Sequence, residues 1–241
     1  MKEFLIVIPV YNEAEVVAKV ATLTKKIASS WAEILLVNDG SKDLTKEALD
    51  ELKLVHPELL IYHKEFNSGY GSSLIYGFKY GIENNFKYII TMDCDLQHQP
   101  KDLLRFKNYN EEVDIVSGSR YTQESKSLGI VPPRDRVEIN KRITRKINKK
   151  YNWLLTDSFC GYKRYKTSIL VFNFEELGYA FPMEFWAYAF KNNLRIEELS
   201  VDKIYITDDR SFGEDLDKKR KRFRYYLEAW RKAEKKYSIL V

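Results

Sequence analysis

The chain opens on an apolar run, Phe4–Val10, closed by the polar trio Tyr11-Asn12-Glu13. The period then changes. Across Glu13–Ala28, Val16, Val20 and Leu23 recur at helical spacing, which predicts a helix. The alternation repeats, with strands predicted at Ile34–Val37, Leu60–His63, Tyr88–Met92 and Ile115–Ser117. Helices are predicted at Lys42–Val55, Ser72–Ile82 and Asp102–Tyr109 between them. Strand–helix alternation of this kind predicts an α/β fold, a mostly parallel sheet with helices on both faces. Ligands of such sheets bind beyond the carboxyl ends of the strands. Three predicted strand ends carry polar clusters, Tyr11-Asn12-Glu13, Asn38-Asp39-Gly40-Ser41 and Asp93-Cys94-Asp95, which one crevice would collect.

After Tyr121 the rhythm is different. Residues 122–135 read as a loop, with Gly129 and Pro132-Pro133. A helix is predicted at Val137–Leu155, a strand at Phe159–Tyr165, a helix at Phe181–Asn192, an extended stretch at Ile196–Ile206 and a last helix at Glu214–Tyr237. Between 134 and 150 stand eight Lys or Arg, opposed only by Asp135 and Glu138. Ile139, Ile143, Ile147 and Tyr151 recur every fourth residue, and Trp153, Leu154 and Leu155 follow. Phe223, Tyr226, Leu227, Trp230 and Tyr237 share a face of the last helix, beside KKRKR at 218–222. Basic amphipathic helices of this type suit a membrane interface. They equally suit packing on their own domain with a solvated charged face.

Composition narrows the classes. At 241 residues, 44% hydrophobic and 31% charged, the chain can build a substantial core. A net charge of +5 and a pI of about 8.9 permit phosphate-bearing ligands, nucleic acid or an anionic membrane surface. No nucleic-acid motif accompanies the charge, so no nucleic-acid partner is expected. Two cysteines, Cys94 and Cys160, exclude a disulfide framework and a four-thiol zinc site. No apolar run approaches the roughly 18 residues of a membrane span, and Phe4–Val10 is too short for a signal segment. A cytoplasmic protein, peripheral at the cytoplasmic membrane face, is the expectation.

Several residues can carry chemistry. On a strand, residues i and i+2 share a side, so Asp93 and Asp95 repel unless a cation lies between them. Mg²⁺ or Mn²⁺ takes such oxygen ligands together with substrate phosphates, and Gln97 can add an amide oxygen. The same stretch also reads as a solvated acidic turn capping the helix near Pro100. Asp39 is either a carboxylate that recognises a base or ribose, or part of an Asn-Asp-Gly turn with Ser41 or Asp43 capping the next helix. Asn12 caps the first helix, or Tyr11 stacks on a base and Glu13 accepts a hydrogen bond from it. Asn67-x-Gly69-x-Gly71 suits close backbone approach to a ligand. It is not a phosphate-binding Gly-Lys-Ser/Thr loop.

Together, VIPVYNE (7–13), VNDGSKD (37–43), NSGYGSS (67–73), MDCDLQHQP (92–100) and GSRY (118–121) resemble the family 2 glycosyltransferases, nucleotide-sugar enzymes of GT-A fold. Within that family the motifs are most similar to polyprenyl-phosphate sugar synthases of the dolichol-phosphate mannose synthase type. The resemblance is strong over 4–121 and looser through DSFCGYKRY (157–165), FPMEFWAYA (181–189) and the region of Arg210. It implies one GT-A domain over 1–241, with a nucleotide-sugar half (1–121), an acceptor half (122–213) and a C-terminal basic helix (214–241).

The resemblance also implies roles. Asp93, Asp95 and Gln97 would hold Mg²⁺ or Mn²⁺ under a sugar-nucleotide diphosphate. Pro9, Tyr11, Glu13 and Asp39 would hold the nucleoside. Arg120 would reach the acceptor phosphate or the diphosphate, Glu184 would lie near the acceptor, and Arg210 would contact phosphate. Asp95, Arg120, Glu184 and Arg210 are then the catalytic set. Lys141, Thr144 and Arg145 are candidates for the lipid phosphate. The chain departs from the synthases in following Arg210-Ser-Phe-Gly213 with Glu214-Asp215-Leu216, in Phe159-Cys160 for a Thr-Ser pair, and in Lys163 for arginine.

The implied reaction is an inverting transfer of a hexose from a GDP- or UDP-sugar to a polyprenyl phosphate at the membrane, through peripheral contact or a separate membrane protein. A saccharide or other hydroxyl acceptor is the alternative, with Glu184 or Asp157 as base. A non-catalytic nucleotide-sugar-binding scaffold is the third reading. A sugar nucleotidyltransferase would need a glycine-rich, arginine-bearing N-terminal loop, which the chain lacks.

Overall fold

The apolar runs become strands and the amphipathic stretches between them become helices that cover the sheet. The computed structural model describes residues 2–170, 173–205 and 216–239. In chain order the strands are β1 (Phe4–Val10), β2 (Ala32–Asn38), β3 (Leu60–His63), β4 (Tyr88–Thr91), β5 (Ile115–Ser119), β6 (Ser127–Gly129), β7 (Lys163–Lys166), β8 (Ile196–Ser200) and β9 (Lys203–Tyr205). The helices are α1 (Val17–Ala28), α2 (Thr45–Val55), α3 (Tyr70–Glu83), α4 (Leu103–Lys107), α5 (Arg134–Tyr151), α6 (Phe181–Lys191) and α7 (Lys219–Lys236).

Seven strands form one sheet in the order β3-β2-β1-β4-β7-β5-β8, and β6 and β9 form a separate parallel ribbon. Only β7 runs against its neighbours, β4 and β5. Side chains alternate across a strand, and the two faces build two cores. Leu5, Val7, Leu35, Val37 and Ile89 pack with residues of α3, α5, α6 and α7. Ile6, Ile8, Ile34, Leu36 and Ile90 pack with residues of α1, α2 and α4. This is the α/β architecture predicted from the alternation.

Three local differences have physical causes. Residues 14–16 form a turn, so α1 starts at Val17. Its buried face is Val17, Val20, Ala21, Thr24 and Ala28, which leaves Leu23 exposed. The strand expected at Phe159–Tyr165 is only Lys163–Lys166, because the residues before it run beneath the carboxylate of Asp93. The loop expected at 122–135 contains β6, held by β9.

The apolar stripes of the two basic helices face inward. Ile139, Ile143, Ile147 and Tyr151 of α5, and Tyr226 and Trp230 of α7, are buried in one core, with Phe223, Leu227 and Tyr237 packed against it. Hydrophobic periodicity identifies the apolar side of a helix but not what covers it. Here the covering is α6 and the sheet, so these stripes are not membrane-facing. Among the described residues no helix is long and apolar enough to cross a membrane.

Candidate functional site

The carboxyl ends of β1, β2 and β4 open on a cleft of about 790 Å³. Pro9, Tyr11, Glu13, Asp39, Asp93, Asp95 and Gln97 all line it, as the strand-end clusters lead one to expect. Asn12, at φ 54°, caps no helix. Its N–H donates to Ser41 Oγ (2.9 Å) and its Oδ1 accepts from the Lys42 N–H (2.9 Å), joining the first two strand-end loops. Asp43 Oδ1 accepts from the Thr45 N–H (3.1 Å) in the first turn of α2.

Asp39 is buried, and both its oxygens are engaged. Oδ1 accepts from Lys64 Nζ (2.8 Å) and the Ser68 N–H (3.1 Å), and Oδ2 from the Gly69 N–H (2.8 Å). Asp39 therefore shapes the glycine loop as well as the cleft wall. Gly69 sits at φ 101°, and a Cβ there would lie 2.3 Å from the carbonyl oxygen of Leu177. The close approach foreseen for a ligand at this loop is thus made by the protein's own 176–178 segment.

Asp93 and Asp95 stand where β4 ends. Tyr70 OH donates to Asp93 Oδ1 (2.9 Å), and the Gln97 N–H to Asp95 Oδ1 (3.0 Å). Behind them, Thr91 Oγ1 donates to the Gly161 carbonyl (2.6 Å). A Cβ on Gly161 would meet both oxygens of Asp93 at 2.6 and 2.7 Å, so only glycine fits under this carboxylate. The Asp93 N–H points at Nδ1 of buried His98 (3.0 Å). Burial disfavours the imidazolium, but Asp93, then Cys160 and Asp95, outweigh it and lift His98 to about 9. The N–H aimed at Nδ1 is satisfied only by the neutral ring, so this contact opposes that rise.

The donor set fits a hard divalent cation. Two carboxylates and an amide line one wall, all oxygen donors. Among the described residues no group of three or more His, Cys, Asp or Glu is arranged to hold a metal without help. Magnesium-type sites characteristically take one or two carboxylates and leave the rest to water and substrate phosphate.

The cleft also carries cations. Arg120, Arg136 and Arg222 line it, with Tyr121, Asn140, Phe159, Tyr205 and Tyr226. Arg120 is held by fully buried Asp157, Nε to Oδ2 at 2.7 Å and Nη2 to Oδ1 at 3.1 Å. Asn140 Nδ2 also donates to Asp157 Oδ1 (2.7 Å). Burial pushes the Asp157 carboxyl up, but Arg120 and the other donors hold it down at about 2. Asp157 in turn keeps Arg120 charged despite burial. Arg222 is buried too, with Nη1 donating to the Leu216 carbonyl (2.9 Å) and Nη2 to Asp135.

The sequence profile described as glycosyl transferase family 2 matches residues 5–171. The chain belongs to this family. Among similar characterised proteins, an undecaprenyl-phosphate mannosyltransferase of Micrococcus luteus is 28% identical over 215 residues, covering 87% of this chain and 85% of that protein. A polyprenol monophosphomannose synthase of Mycolicibacterium smegmatis is 26% identical over 203 residues, covering 82% and 76%. Of the solved structures, glucosyl-3-phosphoglycerate synthase of Mycobacterium tuberculosis, in complex with Mn²⁺, UDP and glucosyl-3-phosphoglycerate, superposes with a TM-score of 0.70. It is 13% identical, covering 96% of this chain and 80% of that one. The fold is GT-A.

In this glycosyltransferase several expected acceptor-side residues stand apart from the cleft. Thr144 is buried, donating to Asn140 Oδ1 (3.0 Å) and bonded to Ser158 Oγ (2.8 Å). Lys141 and Arg145 are exposed, and neither lines the cleft. Glu184 is buried outside it. Its Oε2 accepts the N–H groups of Glu175 (2.8 Å) and Glu176 (2.7 Å), and its Oε1 accepts Lys236 Nζ (2.8 Å) and Tyr237 OH (3.2 Å). Glu184 thus ties the 175–178 segment and the end of α7 to α6. Lys163 is buried with Nζ on the Cys160 carbonyl and 5.4 Å from the Trp186 ring centroid. Arg210 lies outside the described residues.

Arg136, Asn140 and Arg222 are cleft residues that sequence reasoning missed, and a signal existed for the arginines. Arg136 is three before Ile139 and seven before Ile143, so it continues the apolar stripe of α5. Arg222 is four before Tyr226 and eight before Trp230, on the stripe of α7. A charge on the buried side of a helix needs a polar cavity or a partner, and these two have the cleft.

Proposed function

We propose that this glycosyltransferase moves a hexose from a GDP- or UDP-sugar to a polyprenyl phosphate at a membrane surface, in one inverting step that depends on Mg²⁺ or Mn²⁺. The observation that carries this is how charge divides among the cleft residues. Glu13, Asp39, Asp93 and Asp95 come from the first half of the chain, whereas the lining residues after position 118 include three arginines and, among those described, no carboxylate. A hydroxyl acceptor ordinarily needs a carboxylate base. The two candidates, Asp157 and Glu184, lie outside the cleft lining and are held by several donors each. A phosphate acceptor is already anionic and needs no base. The names of the two mannosyl-transferring relatives, both acting on polyprenyl phosphates, favour the same acceptor.

In this reading Pro9, Tyr11, Glu13 and the Asp39-organised loop seat the nucleoside. Asp93, Asp95 and Gln97 would hold a divalent ion, which would supply charge neutralisation to the leaving diphosphate. Arg120, fixed by Asp157, and Arg136 and Arg222 orient the acceptor phosphate. One of its oxygens attacks the anomeric carbon, the bond to the diphosphate oxygen breaks, and its electron pair leaves with the nucleoside diphosphate. No proton is removed, so catalysis is positioning and charge stabilisation.

The test is transfer from labelled GDP-mannose and UDP-glucose with Mn²⁺, Mg²⁺ or EDTA, followed by butanol extraction. Label is expected in the organic phase only with a polyprenyl phosphate and a metal. Label that stays water-soluble with every polyprenyl phosphate, while passing to a saccharide, replaces this reading with a hydroxyl acceptor.

A further inference from the structure

Beside the cleft, β6 and the loop that joins it to α5 expose three large apolar side chains for which neither core accounts. Leu128 is 41% exposed, Ile130 40% and Val131 82%. None of the three belongs to either core. Both ends of the loop are fastened to the cleft wall. The Ile130 N–H donates to the Tyr205 carbonyl (2.9 Å), Gly129 pairs with Tyr205, and Arg136 follows at the start of α5. Tyr205 and Arg136 both line the cleft. The tip ends in Pro132-Pro133, which carry no N–H to leave unsatisfied in an apolar medium.

Cations flank this tip, with the carboxylates of Asp135, Glu138, Asp202 and Asp217 among them. Lys126 and Arg134 are exposed at its two ends. The start of α7 is brought to the start of α5 by Arg222 on Asp135 and by Lys219 Nζ on Glu138 (2.5 Å). Exposed Lys218, Lys219, Arg220 and Lys221 crowd that helix start, whose first turn has no acidic residue. Positive side chains at a helix N-terminus oppose its dipole, and an anionic surface offsets that cost.

We propose that residues 126–134, with the first turn of α7, form the face that docks on an anionic lipid bilayer, Leu128, Ile130 and Val131 entering the headgroup–acyl boundary. The inference deepens the polyprenyl-phosphate reading and rests on it for the choice of a bilayer over a protein partner. It replaces the buried stripes of α5 and α7 as the membrane contact and sets the cleft residues Arg136 and Arg222 beside the lipid surface.

The test is flotation of the full chain with phosphatidylcholine vesicles and with vesicles containing phosphatidylglycerol, alongside the triple variant Leu128→Ser, Ile130→Ser, Val131→Ser. Wild type is expected to float with anionic vesicles about tenfold more than with neutral ones, an excess that salt removes. The triple variant is expected to lose about tenfold of that binding at an unchanged Tm. Its calorimetric affinity for geranyl phosphate, without vesicles, is expected to stay within about twofold of wild type. A variant that floats like wild type overturns the proposal. So does a wild type indifferent to both vesicles, which would leave the loop to a membrane protein, or a wild-type dimer that the variant abolishes without any vesicle binding. Failure of wild type to bind geranyl phosphate strikes the acceptor assignment instead, because flotation reads the docking face by itself.

Discussion

Gly161→Ala probes the seating of the candidate metal-site carboxylate of Asp93 with one methyl group. The added Cβ would lie 2.6 and 2.7 Å from the Asp93 oxygens and 2.6 Å from Tyr70 OH. Relief to ordinary contact requires a shift of roughly 0.7 Å, and the Gly161 carbonyl is anchored by Thr91. The carboxylate is therefore what moves. Overpacking of this size costs about 1–3 kcal/mol of stability, whereas displacing a site group by about 1 Å costs on the order of 100-fold in turnover. Gly118→Ala is the control. Its Cβ would meet the Tyr162 carbonyl at 2.9 Å and Cys160 Sγ at 3.1 Å without touching Asp93. Calorimetry of GDP and UDP with Mn²⁺, scanning calorimetry and turnover should separate the two. Gly161→Ala is expected to lose metal-dependent nucleotide affinity and about two decades of rate, and Gly118→Ala mainly Tm. If Gly161→Ala keeps wild-type metal-dependent binding, or loses no more activity than the control at equal stability, Asp93 is not the group that Gly161 accommodates.

Asp95→Asn is expected to lower metal-dependent nucleotide binding on the order of 100-fold with no fall in Tm, read by titration and scanning calorimetry. Asp157→Asn removes the partner of a buried arginine and should cost about 3–5 kcal/mol in a urea melt. Asp157 also sets a pH dependence. Its folded value near 2 lies below the unfolded carboxylate value, so its contribution of about 2–3 kcal/mol is present above roughly pH 4 and fades as pH falls towards 2. Urea midpoints from pH 5 to 2.5 should show that slope in wild type and lose this share of it in Asp157→Asn. Glu184→Gln weakens four hydrogen bonds outside the cleft and should cost about 2 kcal/mol, while kcat per folded molecule stays within about threefold. A drop of two decades in kcat at unchanged Tm would restore Glu184 to the chemistry.

The strand-end part of the candidate site was legible because its information is local. Each motif sits at the end of one apolar run, and parallel βα units place every such end on the same edge of the sheet. Tyr11, Glu13, Asp39, Asp93 and Asp95 meet for that reason alone. The acceptor half was not legible in the same way. Charge and the family resemblance point to Lys141, Thr144 and Arg145 on α5, but the helix turns Arg136 and Asn140 to the cleft. In sequence Asp157 and Glu184 read alike, as candidate bases for a hydroxyl acceptor. Burial and their donors make one the partner of Arg120 and the other a tie between α6, α7 and the 175–178 segment.

By itself, the sequence determined the alternating strands and helices, the two-faced sheet and the row of polar clusters at its edge, since each depends on side-chain period within a few consecutive residues. Only the tertiary structure decided that β7 runs antiparallel between β4 and β5, which slides Gly161 under Asp93. It also decided that Arg222 crosses to Asp135, and that the apolar stripes of α5 and α7 are covered by protein while Leu128, Ile130 and Val131 are not. These are pairings between segments distant in the chain. An amphipathic pattern is the same whether a core or a bilayer meets its apolar side, so the choice rests on what the folded chain places opposite it.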